Sequence, residues 1–488
     1  MDTKEDKDDE LLRIALSRGI FFHSAEVFSD NISGFWDYGP IGVRILNNLL
    51  DQWRQTVYSM NGFEISGSVI LPKIVLQASG HEANFFDMEI KCSKCGTVYR
   101  VDKLLEEKDS SKNFEGLTEE EYLKYIREYS IKCSKCGGEL DSIKKFGTMF
   151  SIKIGEDVPA YLRPEACQAI FLDFKRVFES YGKKLPMTIA QVGKAFRNEI
   201  SPRNNLLRQR EFYQNDIEIF FTEDNFKLDK DYKINIYDKN DSGLSQISVN
   251  DALSNGVIKN TVTAYGIEKV HEFLLRVGFK NEDIRYRKLY EDKAFYSKES
   301  FDIEIRKQDI WVELVACNNR GEHDLSAYEE FGAKGLRVDG KIPQIFEISM
   351  GTDRLFYLLL FSSLRKDEQR TWLSMNSVIS PFKAAIFPLV PKDNLDVKAN
   401  SLFNSSRYKH NILYSDTGSI GKRYRRAEEV GIKLAFTVDY DTIEDNTITV
   451  RDSDSMKQFR IDADKIDLVI FDSDSNDFEE LRKKYEYH

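Results

Sequence analysis

Apolar and polar residues alternate in two runs within residues 191–220, and a polar segment separates the runs. The second run alternates at Ile217 and Ile219. A period of two predicts β-strands, and Pro202 with Asn205 supplies residues suited to the turn between them. The pattern therefore predicts a β-hairpin.

Elsewhere along the chain the spacing of apolar residues changes between that of a helix and that of a strand. Helical spacing of apolar residues covers residues 43–57, 169–179 and 261–279, and strand-like runs cover 67–71, 301–305, 310–316 and 344–350. A polar stretch at 222–260 predicts an insertion at a sheet edge. Beyond residue 381 strands at 384–389, 411–414 and 435–438 alternate with helices near 398–403 and 423–430. The chain is thus predicted to be α+β, with a βαβ-type C-terminal domain.

Length and charge narrow the class of protein. A chain of 488 residues is long enough for two or three domains, and it lacks an apolar run of membrane-spanning length. Its acidic start has no apolar segment typical of a secretion signal, so we expect a cytoplasmic protein. A net charge of −11 argues against nonspecific binding to nucleic acid. RNA contacts would therefore need local basic clusters, such as the one in GKRYRR: Lys422, Arg423, Arg425 and Arg426. In isolation that cluster could equally be a solvated face.

Four of the six cysteines form two near-identical CSKCG knuckles. Such paired knuckles predict a tetrahedral zinc ribbon, in which each turn directs two thiolates at one ion. A disulfide framework is the alternative, but it would require an oxidising compartment. The predicted ligands are Cys92, Cys95, Cys133 and Cys136.

Arginines cluster at both ends of the predicted hairpin. Arg197 is followed by Glu199, and Arg208 precedes the aromatic Phe212. Guanidinium groups bind phosphate oxygens through two hydrogen bonds, and an aromatic ring offers a stacking face to a base. These residues indicate a nucleotide site, although an exposed hairpin with solvated charges would show the same residue types.

These motifs together resemble those of class II aminoacyl-tRNA synthetases, and among them the glycyl family most. The run 191–220 resembles motif 2, and GFWDYGP with the helix after it resembles motif 1. The run QIFEISMGTDRLF at 344–356 resembles motif 3, and LRPEA at 162–166 resembles the loop that the family places before a helix. GSIGKRYRRAEEVGI resembles the anticodon-binding domain of the glycyl enzymes. The resemblance covers nearly the whole chain.

The resemblance implies an architecture. We expect a class II catalytic domain at 1–375, built on an antiparallel six-stranded sheet flanked by helices. A zinc-ribbon insertion is expected at 90–145, a polar and helical insertion at 222–295, and an α/β anticodon-binding domain at 381–488. Motif 1 implies a homodimer, although by pattern alone its helix could be an ordinary amphipathic one.

The resemblance also implies an activity and the residues for it. We expect ATP-dependent ligation of glycine to its tRNA through a glycyl-adenylate. Arg197 would bind the α-phosphate, Arg208 the distal phosphates and Arg354 the γ-phosphate, while Phe212 would stack on adenine. Glu313, with Glu199 or Glu347 as further candidates, would hold Mg²⁺ or ribose. As a strand residue, Glu313 could alternatively face solvent.

Glycine offers only an ammonium and a carboxylate for recognition, so larger amino acids must be excluded by steric contact. The resemblance implies an anionic cage of Glu165, Asp216 and Glu347 around the ammonium. Ser349 would limit the space near the α-carbon, and Arg320 would balance the charge. Asp216 stands where the family usually has Glu, which withdraws that carboxylate by one methylene.

Two other functions remain open from the sequence. The chain could be a class II synthetase for serine, threonine, proline or alanine. It could also be a synthetase-like RNA-binding protein that has lost catalysis. A complete set of ATP-binding residues argues against the second alternative, because a purely RNA-binding protein does not need it.

Overall fold

The chain folds around a large sheet followed by a smaller C-terminal sheet. The computed structural model describes residues 7–29, 32–109, 112, 114, 116–200, 202, 205–238, 243–289 and 297–487. Among these residues, no helix combines the length and the apolar character needed to cross a bilayer.

Eleven helices and nineteen strands are described before residue 375. The helices are α1 (Lys7–Arg18), α2 (Pro40–Ser59), α3 (Lys73–Ala78), α4 (His81–Asn84), α5 (Val101–Glu106), α6 (Glu119–Glu128), α7 (Cys167–Ser180), α8 (Val249–Ser254), α9 (Thr261–Val277), α10 (His323–Glu330) and α11 (Thr352–Ser363). The first ten strands are β1 (Phe21–His23), β2 (Trp36–Tyr38), β3 (Phe63–Ile65), β4 (Ile70–Pro72), β5 (Phe86–Cys92), β6 (Val98–Arg100), β7 (Leu140–Gly147), β8 (Ser151–Ile154), β9 (Val158–Leu162) and β10 (Met187–Phe196). The other nine are β11 (Glu211–Phe221), β12 (Lys233–Asp238), β13 (Gly243–Ser248), β14 (Ile284–Leu289), β15 (Glu299–Lys307), β16 (Ile310–Gly321), β17 (Gln344–Gly351), β18 (Leu364–Lys366) and β19 (Thr371–Leu373).

The large sheet has nine described strands in the order β13-β12-β14-β15-β16-β17-β11-β10-β3. Within the six strands from β14 to β10 every adjacent pair is antiparallel, which confirms the predicted antiparallel sheet. Three strands enlarge the expected six. β3 joins β10 in parallel, and β12 joins β14 in parallel and carries β13 at the edge.

Helices cover both faces of this sheet. On one face α2, α9 and α11 share a core with Ile217 of β11. On the other face Phe174 of α7 stacks on Phe220 of β11, with ring centroids 4.2 Å apart. Because helices pack against both faces, β11 is buried on both sides. β10 and β11 form the predicted hairpin, and Gln191 pairs with Asp216 in its register.

The C-terminal domain is built on a five-stranded mixed sheet. Its elements are β20 (Ala384–Pro388), α12 (Leu395–Ser405), β21 (Ile412–Tyr414), α13 (Ile420–Glu429), β22 (Leu434–Val438), α14 (Tyr440–Asp445), β23 (Thr447–Asp452), β24 (Gln458–Asp462), α15 (Ile466–Asp472) and α16 (Phe478–Tyr485). β21, β20 and β22 are parallel, as a βαβ pattern predicts, and β23 and β24 continue the sheet in antiparallel fashion.

The basic cluster on α13 is smaller than the sequence suggests. Arg423 is buried and donates hydrogen bonds to the carbonyl oxygens of Pro388, Leu389 and Ser415. Its role is structural, because those bonds tie α13 to the loops after β20 and β21. The exposed cations of this helix are Lys422, Arg425 and Arg426.

Candidate active site and metal centre

A cavity of about 380 Å³ opens beside the hairpin. Its walls come from β11, β16, β17, the segment that follows β10, the start of α11 and the turn into α4. These elements bring together ten of the eleven substrate-binding residues predicted from the sequence: Glu165, Arg197, Glu199, Arg208, Phe212, Glu313, Arg320, Glu347, Ser349 and Arg354.

Arg197 follows the last residue of β10, and hydrogen bonds and two aromatic rings orient its guanidinium group. Its Nε donates to the carbonyl oxygen of Pro164 at 3.1 Å, and Nη2 donates to Oε1 of Glu165 at 3.1 Å. Its guanidinium carbon lies 5.5 Å from the ring centroid of Phe212 and 5.3 Å from that of Phe85. The cation is therefore oriented before any substrate arrives.

Two further arginines border the cavity beside carboxylates. Arg208 Nε donates to Oε2 of Glu199 at 2.7 Å. Arg354, in the first turn of α11, donates to the carbonyl oxygen of Glu313 and lies 3.6 Å from the Glu313 carboxylate. Because Glu313 is half exposed, its carboxylate stays accessible to solvent and to a hard cation.

Glu165 is a partly buried carboxylate, 23% exposed, that lies beside Arg197 and His81. It accepts from Arg197, and its Oε2 lies 3.2 Å from Nε2 of His81. Burial alone would raise its pKa, but the charges of His81 and Arg197 outweigh burial and hold the pKa well below its usual range. Glu165 therefore stays ionised at neutral pH.

Arg320 and Glu347 line the inner wall of the cavity. Arg320 donates to both oxygens of Asp324 at 2.6 Å and lies 3.2 Å from both oxygens of Glu347. Asn318 Nδ2 donates to Glu347 at 2.8 Å. Burial nevertheless raises the pKa of Glu347, with Arg320 and Asn318 opposing the shift. Because Glu347 is already engaged by Arg320 and Asn318, we assign it no metal.

Asp216 is the predicted site residue that the structure does not place in the cavity wall. It is fully buried in β11, paired in register with Ser349 of β17. Burial, reinforced by the charge of Glu347, raises the pKa of Asp216 to about 8. The shorter side chain leaves the carboxylate behind the wall that Ser349 and Gln214 form.

Several polar residues of the cavity wall were not predicted as site residues from the sequence, among them His81, Gln214 and Asn318. Gln214 Nε2 donates to Ser349 Oγ at 2.7 Å, and Ser79 Oγ lies 2.8 Å from Nδ1 of His81. A signal for Gln214 was available, because an uncharged polar residue stood inside a run predicted to be a strand of a core sheet. Asn318 lies beyond the strand predicted at 310–316, which the structure extends to Gly321, so it carried no such signal. The Ser-Gly-His turn carried no signal for a site either.

The four paired cysteines converge on one point. Their sulfur atoms all lie within 4.8 Å of one another, with Cys95 to Cys133 at 3.5 Å and Cys92 to Cys136 at 3.6 Å. A tetrahedral ion with Zn–S bonds of about 2.3 Å would separate its sulfurs by about 3.8 Å. None of the six cysteines forms a disulfide. The donor set thus fits the predicted zinc ribbon.

Local geometry around these cysteines supports the same conclusion. A Cβ on Gly138 would lie 2.9 Å from the sulfur of Cys92, so only glycine leaves the space between the knuckles open. Hydrogen bonds from Thr97 lower the pKa of the Cys95 thiol to about 6. A thiol that ionises easily is a good ligand for zinc.

Comparisons with known proteins agree with this geometry. The family model "tRNA synthetase class II core domain (G, H, P, S and T)" matches residues 150–362, and "Anticodon binding domain" matches residues 383–470. A solved prolyl-tRNA synthetase from Cryptosporidium parvum superposes with a TM-score of 0.58 at 14% identity, covering 98% of this chain and 76% of that one. This likeness supports the predicted fold.

Curated relatives are similar over almost their full length. The glycine–tRNA ligase of Thermococcus gammatolerans is 33% identical, with 96% of this chain and 98% of that protein aligned. The glycine–tRNA ligase of Methanocaldococcus jannaschii is 32% identical, with 95% of this chain and 98% of that protein aligned. The family predicted from the motifs is thereby confirmed. The chain belongs to the glycine–tRNA ligase family of the class II aminoacyl-tRNA synthetases.

Proposed function

We propose that this protein joins glycine to its tRNA in two steps within the cavity beside the hairpin. A carboxylate oxygen of glycine attacks the α-phosphorus of ATP, the bond to the β-phosphate oxygen breaks, and pyrophosphate leaves. The 3′-terminal ribose of the tRNA then attacks the carbonyl carbon of the adenylate and releases AMP. The convergence of ten predicted residues on one cavity is the observation that carries this proposal.

Positioning and charge neutralisation supply the catalysis in the first step. The attacking group is already a carboxylate, so no residue needs to act as nucleophile or base. Arg197 stabilises the charge on the α-phosphate, while Arg208 and Arg354 bind the distal phosphates. The adenine stacks on Phe212. Glu199 orients Arg208, and Glu313 offers an accessible carboxylate for Mg²⁺, which would neutralise phosphate charge.

Selection of glycine follows from anionic groups and limited space. Glu165, kept ionised by its neighbours, binds the substrate ammonium together with Glu347. Ser349, fixed by Gln214, occupies the space that a side chain on the α-carbon would need. Asp216, whose pKa is raised to about 8, lies behind this wall and is not assigned a contact with the substrate.

We also propose that the protein holds one structural Zn²⁺ and works as a homodimer in the cytoplasm, where free thiols stay reduced. The dimer surface is the small sheet β4-β9-β8, in which β4 is an edge strand. Four apolar residues on or beside this sheet are exposed: Ile70, Ile74, Ile154 and Val158. An exposed apolar edge of this kind indicates a docking surface.

A charging assay tests the proposed function. Purified protein, ATP, Mg²⁺ and unfractionated tRNA are incubated with labelled glycine, and acid-precipitable label is counted. We expect label that depends on ATP and is released by mild base, since the product is an ester. Absence of glycyl-tRNA with folded, zinc-loaded protein would refute the proposal.

A further inference from the structure

Tyr38, from the GFWDYGP motif, makes a contact that none of the steps above uses. Its hydroxyl donates a hydrogen bond to Oδ1 of Asp353, the residue before Arg354 on α11. Its ring packs edge-on against Phe356 of the same helix, with centroids 4.9 Å apart and ring planes at 81°. Asp353 lines the cavity, whereas Tyr38 does not. Any effect of Tyr38 on a substrate must therefore pass through a neighbouring residue.

The second oxygen of Asp353 binds a different element. Oδ2 accepts a hydrogen bond from the backbone N–H of Tyr213 on β11. β17 pairs with β11 only as far as Gln214, because β17 ends at Gly351 and the chain turns into α11. The carboxylate thus supplies an acceptor where the strand ladder has stopped. One side chain thereby ties the start of β11 to the first turn of α11.

The charge of Asp353 strengthens this link. The residue is 4% exposed, and burial raises its pKa to about 6, while the hydrogen bonds from Tyr38 and Tyr213 oppose the shift. At neutral pH the carboxylate is therefore ionised and accepts from both donors. Hydrogen bonds to an ionised acceptor are stronger than those between neutral groups.

The residues next to this link are two of the predicted ATP contacts. Phe212, which would stack on adenine, directly precedes Tyr213 on β11. Arg354, which would bind a distal phosphate, directly follows Asp353 on α11. One nucleotide can meet both groups only if they keep a fixed separation, and a fixed geometry lowers the entropic cost of binding and reaction.

We propose that Tyr38 and Asp353 are positioning residues for ATP. Tyr38 orients the Asp353 carboxylate, and that carboxylate holds β11 and α11 together. Phe212 and Arg354 thereby keep the separation that the nucleotide requires. This inference rests on the proposed function, and it adds a selective effect: loss of the link weakens ATP binding and leaves glycine binding nearly unchanged.

The Michaelis constants of ATP–pyrophosphate exchange test the proposal. Asp353→Ala leaves the N–H of Tyr213 without its acceptor, so the KM for ATP should rise about tenfold or more while the KM for glycine stays nearly constant. Asp353→Asn keeps an amide oxygen for that N–H and an amide NH₂ for the hydroxyl oxygen of Tyr38. It should therefore recover most of the loss.

Tyr286→Phe is the matched control. Tyr286 is a fully buried tyrosine on β14 of the same sheet, and its hydroxyl lies 2.7 Å from Nδ1 of His271, outside the cavity. This variant also loses a buried hydroxyl contact. Both of its Michaelis constants should match those of the parent protein.

A double-mutant cycle tests whether Tyr38 acts through Asp353. Tyr38→Phe removes the hydroxyl but keeps a ring against Phe356, and it should raise the KM for ATP about threefold. In the Asp353→Ala background the same change should have no further effect, because the hydroxyl has already lost its acceptor. Thermal unfolding of each variant reports whether the fold is intact.

Three results would overturn the inference. The first is a parental KM for ATP in Asp353→Ala or, where that variant fails to fold, in Tyr38→Phe. The second is an equal rise in the constants for ATP and glycine, which would indicate a general distortion of the cavity. The third is additivity of the two changes. A parent protein without glycine-dependent exchange would instead refute the proposed function.

Discussion

At the scale of single residues, the cations of the cavity are held by the protein before ATP arrives. Arg197 is fixed by Pro164 and Glu165, and Arg354 by the carbonyl oxygen of Glu313. A preorganised donor stabilises developing charge without the free-energy cost of reorienting during the reaction. Loss of either guanidinium should therefore affect the rate of the chemical step.

We predict that Arg197→Ala and Arg354→Ala each lower the rate of glycyl-adenylate formation at least about a hundredfold. Pyrophosphate exchange at saturating ATP and glycine measures this rate. Arg306→Ala is the control, because Arg306 is an exposed arginine on β15 outside the cavity. Near-normal exchange in both cavity variants, with thermal unfolding unchanged, would remove these two arginines from the mechanism.

The role of a residue could be predicted only where that residue belonged to a recognised sequence motif. The motifs identified Arg197, Phe212 and Arg354, because these residues occupy fixed places beside strand and helix boundaries. The burial of Asp216 and Glu218 was not predicted, because an alternating strand predicts that its polar face meets solvent. In the structure α7 covers that face, so these polar positions of β11 are buried.

At the scale of elements, the segment that carries the four paired cysteines has a core of its own. β5, β6 and β7 form its sheet, and α5 and α6 contribute Leu105 and Tyr122 to the cluster that also contains Cys92 and Cys133. The knuckle spacing predicted the four ligands. The two helices were harder to predict, since the segment is highly charged and only a few of its residues face the core.

We predict about one zinc per chain in protein purified without chelators. Cys133→Ser should lose the metal and make residues 90–145 sensitive to protease, because the ion supplies much of the folding free energy of so small a core. Cys317→Ser, a buried cysteine on β16, should retain the metal. A Cys92–Cys95 disulfide, or metal-free protein with a protected ribbon, would contradict the prediction.

Helix α13 carries one buried structural arginine, Arg423, and two exposed arginines, Arg425 and Arg426, which we propose contact tRNA. Arg425→Ala combined with Arg426→Ala should weaken tRNA charging and spare pyrophosphate exchange. It should also reduce the salt dependence of tRNA binding by about one unit of slope for each lost phosphate contact. Arg423→Ala should instead lower the melting temperature of the C-terminal domain, since three carbonyl oxygens lose their donor. Equal loss of both half-reactions in the double variant would show that the exposed cations support the fold.

At the scale of the whole molecule, polar contacts join the two domains. Arg44 of α2 donates to the carbonyl oxygens of Pro381 and His410, at 2.6 and 2.8 Å. Arg370, after β18, lies 2.9 Å from Glu428 of α13. These contacts could not be read from the sequence, because each pairs residues that are far apart along the chain and carries no local pattern. They fix α13 relative to the cavity.

The proposed dimer predicts a solution mass of twice the 56.7 kDa of one chain. Light scattering after size exclusion measures it. Ile74→Glu should shift the protein toward the monomer, because it places a charge on an apolar surface that is 55% exposed in one chain. Ile310→Glu is the control at a similarly exposed isoleucine away from β4. A monomeric parent protein would refute the dimer.

The central claim is that this cavity activates glycine and excludes larger amino acids. ATP–pyrophosphate exchange with each amino acid in turn tests it most directly, because it isolates the first step from tRNA. We predict exchange with glycine and none measurable with alanine or serine, since the proposed function places Ser349, fixed by Gln214, in the space that a side chain on the α-carbon would need. Exchange that is faster with alanine, serine, threonine or proline than with glycine would contradict the account.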